Sequence, residues 1–211
     1  MKFLIISESL FIFFNLKNFY LRVFPPETLK LEEYLNFKDV KTDGFFVYFL
    51  VHKNKLIKVN PYKGIQKSEF SLNSLNHATF FDITERNNFY FYISKGGIPK
   101  VLKIKFSPLD SFSYFFNINE KVLDFFVIED TFFIFVFKEK IRVYKKLNLF
   151  REFKKTYKNY FKLKDEFYVY SGDTLFSLVK DIKKEYKGNY ELLFKTLNKE
   201  IVYKDNAWSL R

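Results

Sequence analysis

The chain has 211 residues, 48% of them hydrophobic, and a formal net charge of +12. That hydrophobic share can fill a buried core and excludes a wholly disordered chain. The absence of cysteine excludes disulfide frameworks, thiolate zinc sites and cysteine nucleophiles, and two histidines, His52 and His77, are too few for a histidine metal cluster.

A positive excess of this size points to nucleic acid or an anionic membrane surface as a partner. The 31 Phe and 15 Tyr stand beside only 6 Gly and 5 Pro, and alanine occurs only at Ala78 and Ala207. Phe, Tyr, Lys, Asn and Ile have A/T-rich codons, so a mutational bias such as that of an organelle genome accounts for the composition. Most of these phenylalanines are therefore read as core residues standing in for Leu, Val and Met, not as platforms for stacking bases.

At the N-terminus, MKFLIISESLFIFF is interrupted by Ser7 and Glu8 and lacks a small-residue cleavage site, so no targeting segment is expected. No stretch approaches the roughly 18 uninterrupted apolar residues of a membrane-spanning helix. Hairpin signals then recur at 10–24, 44–59, 87–106 and 131–144, and EFYVY at 166–170 adds one more strand. Each is an aromatic or β-branched run bounded by turn residues. Equivalent strands beginning near Phe11, Phe45, Phe89, Phe132 and Phe167 invite a repeat reading, with intervals suited to β-propeller blades. Against it stand uneven intervals, missing blade signatures and a predicted helix.

That helix is expected over 173–186. Asp173 is a candidate N-cap, Leu175, Leu178, Val179, Ile182 and Tyr186 fall at helical spacing, Lys180, Lys183 and Lys184 suit the negative end of the helix dipole, and Gly188 ends it. A second helix is expected at 68–81. The expected fold is thus α+β, with two tandem small domains, 1–98 and 99–211, each an antiparallel sheet packed on one helix.

Positive charge concentrates at 137–164, where Lys138, Lys140, Arg142, Lys145, Lys146, Arg151, Lys154, Lys155, Lys158, Lys162 and Lys164 face only Glu139 and Glu152. A lysine surface of that density would bind phosphates with strong salt dependence. The five arginines are too few for extensive bidentate base reading, which favours recognition of backbone and shape. Enzyme signatures are absent: Gly96-Gly97 lacks phosphate-loop spacing, no nucleophile elbow occurs, and the neighbours Glu32-Glu33 and Glu129-Asp130 read as solvated. No catalysis, metal or cofactor is expected.

The segment FYVYSGDTLFSLVKDIKKEYKG, followed by NKEIVYKDNAWSLR, resembles the C-terminal domain of the large ribosomal subunit protein six family. FYLRVFPPETLKLEEYLNFKDVKTDGFFVYF at 19–49 is similar to its first domain, with Pro26 and Leu29 at the family's turn. The resemblance implies a non-catalytic ribonucleoprotein component that binds large-subunit rRNA beside neighbouring ribosomal proteins. It implies contacts through Lys183, Lys184, Tyr186, Lys187, Gly188, Lys199 and Tyr203, with Lys204 and Arg211 as a basic tail. Lys180, Lys145, Lys146, Lys154, Lys155 and Lys158 join them as phosphate-binding candidates. Together with the codon bias it implies an organelle-encoded protein of the mitochondrial translation apparatus, located in the matrix. Two alternatives remain open: a β-propeller-like scaffold for protein contacts, and a phage or plasmid protein that binds single-stranded nucleic acid.

Overall fold

The computed structural model describes the backbone of residues 2–7, 10–15, 20–24, 27–30, 37–43, 46–51, 55–60, 67–71, 75, 77–84, 86–94, 98–106, 109–154, 159–163, 166–171, 174–179, 183–185, 192–195, 200–204 and 207–210, and side-chain surroundings mainly within 37–154, with a few more up to 179. These residues form antiparallel meanders, one after another along the chain. The first sheet holds β1 (Lys2–Ser7), β2 (Leu10–Asn15), β3 (Tyr20–Phe24) and β4 (Glu27–Lys30), and the second β5 (Phe37–Thr42), β6 (Val47–Val51), β7 (Lys55–Val59) and β8 (Lys67–Ser71). The third holds β9 (Ala78–Ile83), β10 (Phe89–Ile93), β11 (Lys100–Phe106) and β12 (Leu109–Phe115). The fourth holds β13 (Asp124–Ile128), β14 (Phe132–Val136), β15 (Lys140–Lys145) and β16 (Asn148–Lys154). The fifth holds β17 (Asn159–Leu163), β18 (Glu166–Ser171), β19 (Thr174–Ser177) and β20 (Lys183–Glu185). The sixth is three-stranded: β21 (Leu192–Lys195), β22 (Glu200–Lys204) and β23 (Ala207–Leu210).

The first strands lie closest to one another, β5 beside β9, β9 beside β13, and β1 beside both β5 and β17, so the later strands of each sheet step outward. Up-and-down sheets arranged by their first strands around a common centre make the fold β-propeller-like.

This arrangement explains the uninterrupted Phe-rich runs. A sheet covered on both faces needs apolar residues at every position, not at alternate ones. All five residues of β10 are buried, and so are all five of β14. Phe89, Phe91 and Ile93 pack toward the second sheet with Tyr48, Leu50 and Leu56, while Tyr90 and Tyr92 turn the other way and meet Phe125, Phe133 and Phe135 of the fourth. On the far face of β14, Phe132, Ile134 and Val136 pack with Phe167, Val169 and Leu178 of the fifth. The core is therefore a series of layers between sheets.

The α+β expectation is corrected: no α-helix occurs among the described residues. Where a helix was predicted over 173–186, β19 pairs antiparallel with β18, with Tyr170 opposite Leu175, and with β20, with Leu175 opposite Lys184. Leu178 and Val179 lie in a turn, and Leu178 is fully buried and donates its N–H to the carbonyl of Phe167 at 2.9 Å. A short helix gains little until a face is packed; here Leu178 is buried in a turn instead, with Val179 half-buried beside it. At 68–81, β8 and β9 replace the second predicted helix, with buried Leu75 between them. The expected boundary at 98/99 falls in the connection between β10 and β11, which pair over five positions from Phe89 opposite Ile104 to Ile93 opposite Lys100.

Candidate functional site

Three aspartates occupy the first strands at nearly regular intervals: Asp39 on β5, Asp82 on β9 and Asp124 on β13, all buried. Each reaches the following sheet. Asp39 Oδ2 accepts the Phe81 N–H at 3.0 Å, Asp82 Oδ2 accepts the Val127 N–H at 2.6 Å, and Asp124 Oδ2 accepts the Tyr160 hydroxyl at 3.4 Å. Two buried or nearly buried lysines cross between non-adjacent sheets. Lys41 donates to Asp124 Oδ1 at 2.9 Å, with its ammonium 3.5 Å from the centroid of the Phe126 ring. Lys162, its side chain 12% exposed, donates to Asp82 Oδ2 and to the Ile83 carbonyl, both at 2.7 Å. Burial lowers the Lys162 pKa, a shift opposed by Asp82. The carboxylates are thus engaged by backbone amides and ammonium groups of other sheets, which makes this cluster a stitch holding sheets in register. Among the described residues, no group of three or more His, Asp or Glu side chains is arranged to hold a metal ion.

A second layer of carboxylates holds tyrosines. Asp130, at φ 55° in the tight turn after β13, accepts from the Thr84 hydroxyl at 2.5 Å, the Asn88 amide at 2.7 Å and the Tyr90 hydroxyl at 3.0 Å. Asp43 accepts the Tyr48 hydroxyl at 2.8 Å. Burial and then the adjacent carboxylate push the Tyr48 and Tyr90 phenols well above their ordinary range, and burial alone pushes Tyr92 up to about 12. Folded-state pKa values raised above the unfolded ones contribute stability that is complete below about pH 10 and lost as pH rises through the folded values. Lys38 and Lys162, with pKa values lowered by burial, have the opposite sign but are outnumbered by the raised tyrosines Tyr48, Tyr90, Tyr92 and Tyr114. Thermal melts from pH 8 to 12 are therefore expected to fall progressively above about pH 10, with tyrosinate absorbance at these sites lagging behind that of the exposed phenols. A flat melting profile would contradict this burial.

Of the predicted phosphate-binding residues, the structure describes only some. Lys145 and Lys146 are exposed at the turn joining β15 to β16, and Lys154 is exposed at the end of β16. Others of the basic run are engaged. Lys140 and Arg142 meet Glu120 at 2.7 and 3.2 Å, Arg142 meets Glu152 at 2.6 Å, and Lys162 lies in the central cluster. Lys183 and Lys184 lie on outer strand β20 and not at a helix end, while Tyr203 and Lys204 lie on β22. Lys155, Lys158, Lys180, Tyr186, Lys187, Gly188, Lys199 and Arg211 lie outside the described residues.

Sequence reasoning missed the outer edge of the third sheet. On β12, Leu109, Phe112 and Phe115 are 71, 60 and 59% exposed. Asp110, Phe112 and Tyr114 share the face toward the fourth sheet, where Tyr114 packs on Phe133 with ring centroids 4.9 Å apart. A cleft of about 290 Å³ on this face is lined by Lys103, Lys105, Asp110, Ser111, Phe112 and Tyr114. The available signal was LDSFSYF itself, an aromatic strand with one charged residue following a lysine-rich one, KVLKIKF.

No protein-family model matches the chain, and no curated protein sequence does. Among solved structures it is similar to a protein of unknown function from Bacteroides caccae, with TM-score 0.50, 10% identity, and 93% of this chain and 79% of that one covered. It is also similar to the WD40 β-propeller domain of Doa1, with TM-score 0.42, 9% identity and coverage of 83% and 82%. A third similarity is to BamB from Moraxella catarrhalis, with TM-score 0.43, 11% identity and coverage of 99% and 67%. The resemblance to large ribosomal subunit protein six is therefore corrected. The segments that suggested its final strand and helix form an antiparallel sheet instead, and the ribosomal, rRNA-binding and mitochondrial assignments built on it fall with it.

Proposed function

We propose that this chain is a β-propeller-like, non-catalytic scaffold that holds a partner protein on the outer edge of its third sheet. The observation that carries this reading is the apolar exposure of Leu109, Phe112 and Phe115 on one outer strand, β12, of a fold whose charged centre is committed to joining its own sheets. Large side chains left in water gain free energy when another surface covers them, at about 25 cal/mol per Å².

The double variant Phe112→Asp/Phe115→Asp is expected to unfold within about 0.5 kcal/mol of the parent chain, since both side chains are exposed. It is also expected to lose its partner. A photo-crosslinking residue at position 112, with position 121 as the exposed control, identifies that partner, which is then purified and its affinity measured. At least a tenfold loss, about 1.4 kcal/mol, is expected in the double variant. Undiminished affinity would overturn the assignment of this edge. Salt-sensitive RNA binding by the same purified chain, lost when Lys145, Lys146 and Lys154 are reversed to Glu, would favour the nucleic-acid reading instead.

A further inference from the structure

Every sheet edge is a row of unsatisfied backbone donors and acceptors, and folded proteins protect such rows with charges, bulges or short strands. The outer strands of the other four-stranded sheets follow that rule. β4 carries Glu27 and Lys30, β8 carries Lys67 and Glu69, β16 carries Arg151, Glu152 and Lys154, and β20 is the short segment Lys-Lys-Glu. The pairing of β16 is also shifted by an irregularity between Val143 and Tyr144.

β12 is less protected than these. It is seven residues long, pairs with β11 without a register shift from Phe106 opposite Leu109 to Lys100 opposite Phe115, and carries a single charge, Asp110. On its far side no strand pairs with it among the described residues, so alternate amides and carbonyls face outward.

We infer that β12 binds an acidic, extended segment of another protein by strand addition; this deepens the scaffold reading and rests on it. Backbone pairing to β12 supplies affinity, and side chains at alternate positions of the added strand supply selectivity. One face of the added strand lies beside Phe112 and the cleft that Lys103 and Lys105 line. Lys103 stands opposite Phe112 on the paired strand and Lys105 opposite Asp110. Lys105 is exposed and Lys103 half-buried. Asp110 is the single negative charge lining the cleft, which leaves it an excess of positive charge that fits carboxylates spaced two residues apart.

The test uses the full chain and three labelled probes in fluorescence anisotropy: a short alternating Glu-Val peptide, its Lys-Val counterpart, and the Glu-Val peptide with alternate amides N-methylated. Binding of the first is expected, with at least tenfold weaker binding of the other two, and a loss of similar size in Lys103→Glu/Lys105→Glu. Equal binding of the Lys-Val probe, indifference to N-methylation, or no binding of the Glu-Val probe to the folded chain would overturn strand addition by an acidic segment. Sedimentation equilibrium showing a dimer that Phe112→Asp dissociates would assign the edge to a second copy and overturn it as well. The scaffold reading stands or falls separately: a crosslinked partner that needs Phe112 but docks through a helix or a basic segment removes only the strand-addition inference.

Discussion

Asp82→Ala is expected to cost about 3–5 kcal/mol, the magnitude of removing one partner from a buried ion pair. The carboxylate is 1% exposed and joins three sheets at one point: it sits on β9, accepts the Val127 amide of β13 at 2.6 Å, and accepts the Lys162 ammonium of β17 at 2.7 Å. Its loss strands a lysine in a site that already lowers its pKa and leaves a backbone amide without its acceptor. For a domain of this size each kcal/mol moves the melting temperature by roughly 2–4 °C. Denaturant unfolding should show a lower midpoint with an unchanged slope. Adding Lys162→Met to Asp82→Ala is expected to recover part of the loss, because the uncompensated charge goes with the lysine. In contrast, Glu139→Ala should change stability by no more than about 0.5 kcal/mol, since its pair with Lys138 spans 4.0 Å with side chains 86 and 76% exposed. Equal effects at Asp82 and Glu139 would mean that the central cluster does not hold the sheets together.

Phe135→Ala is expected to cost a further amount of the same order, about 3–5 kcal/mol, through lost transfer free energy and the cavity left behind. Phe135 is fully buried between the third and fourth sheets. Its ring lies 5.0 Å from that of Phe116, 5.3 Å from Phe125, 5.6 Å from Tyr144 and 5.7 Å from Tyr92, centroid to centroid. Four aromatic neighbours from several strands cannot close around a missing ring without moving backbone, so relaxation recovers little. Phe112→Ala, on the open edge, is expected to stay within about 0.5 kcal/mol. The contrast separates two placements of phenylalanine among the described residues: rings that fill the layers between sheets, and Phe112 and Phe115, exposed at one edge.

The strands were legible because their signal is local. The positions near Phe11, Phe45, Phe89, Phe132 and Phe167 that suggested a repeat are the second strands of five successive sheets, β2, β6, β10, β14 and β18. Those strands are covered on both faces where their surroundings are described most fully, so their apolar runs are continuous and easy to see. The intervals between them are uneven because connection lengths differ, as between the three-residue turn at 129–131 and the longer connection from Ile93 to Lys100. Uneven intervals, missing blade signatures and a predicted helix together weigh against the propeller-like reading in the sequence. Leu175, Leu178 and Val179 satisfy a helical period, yet they are a strand residue and two turn residues, and nothing in spacing alone separates those cases.

The central cluster was harder to see. Asp39, Asp82 and Asp124 recur on the first strands of the second, third and fourth sheets, but a single acidic residue in a strand reads as an ordinary exposed position. Only the convergence of the first strands shows that they meet. The ion pairs of the basic run from 137 to 164 were hidden for the complementary reason. Its lysines and arginines look one-signed along the chain, whereas Glu120, from the preceding loop, and Asp82, from another sheet, supply the opposite charge in space.

Amide hydrogen exchange, measured residue by residue with and without the alternating Glu-Val peptide, reads the open edge of β12 itself. The free chain should protect β10, β14 and the Val127 amide of β13 held by Asp82, while the outward-facing amides of Leu109 to Phe115 exchange fast. Addition of the peptide should slow alternate amides of β12 and leave the rest unchanged. Protection that appears instead along 145–154, or not at all in β12, would contradict an account in which the third sheet's edge is where this protein meets its partner.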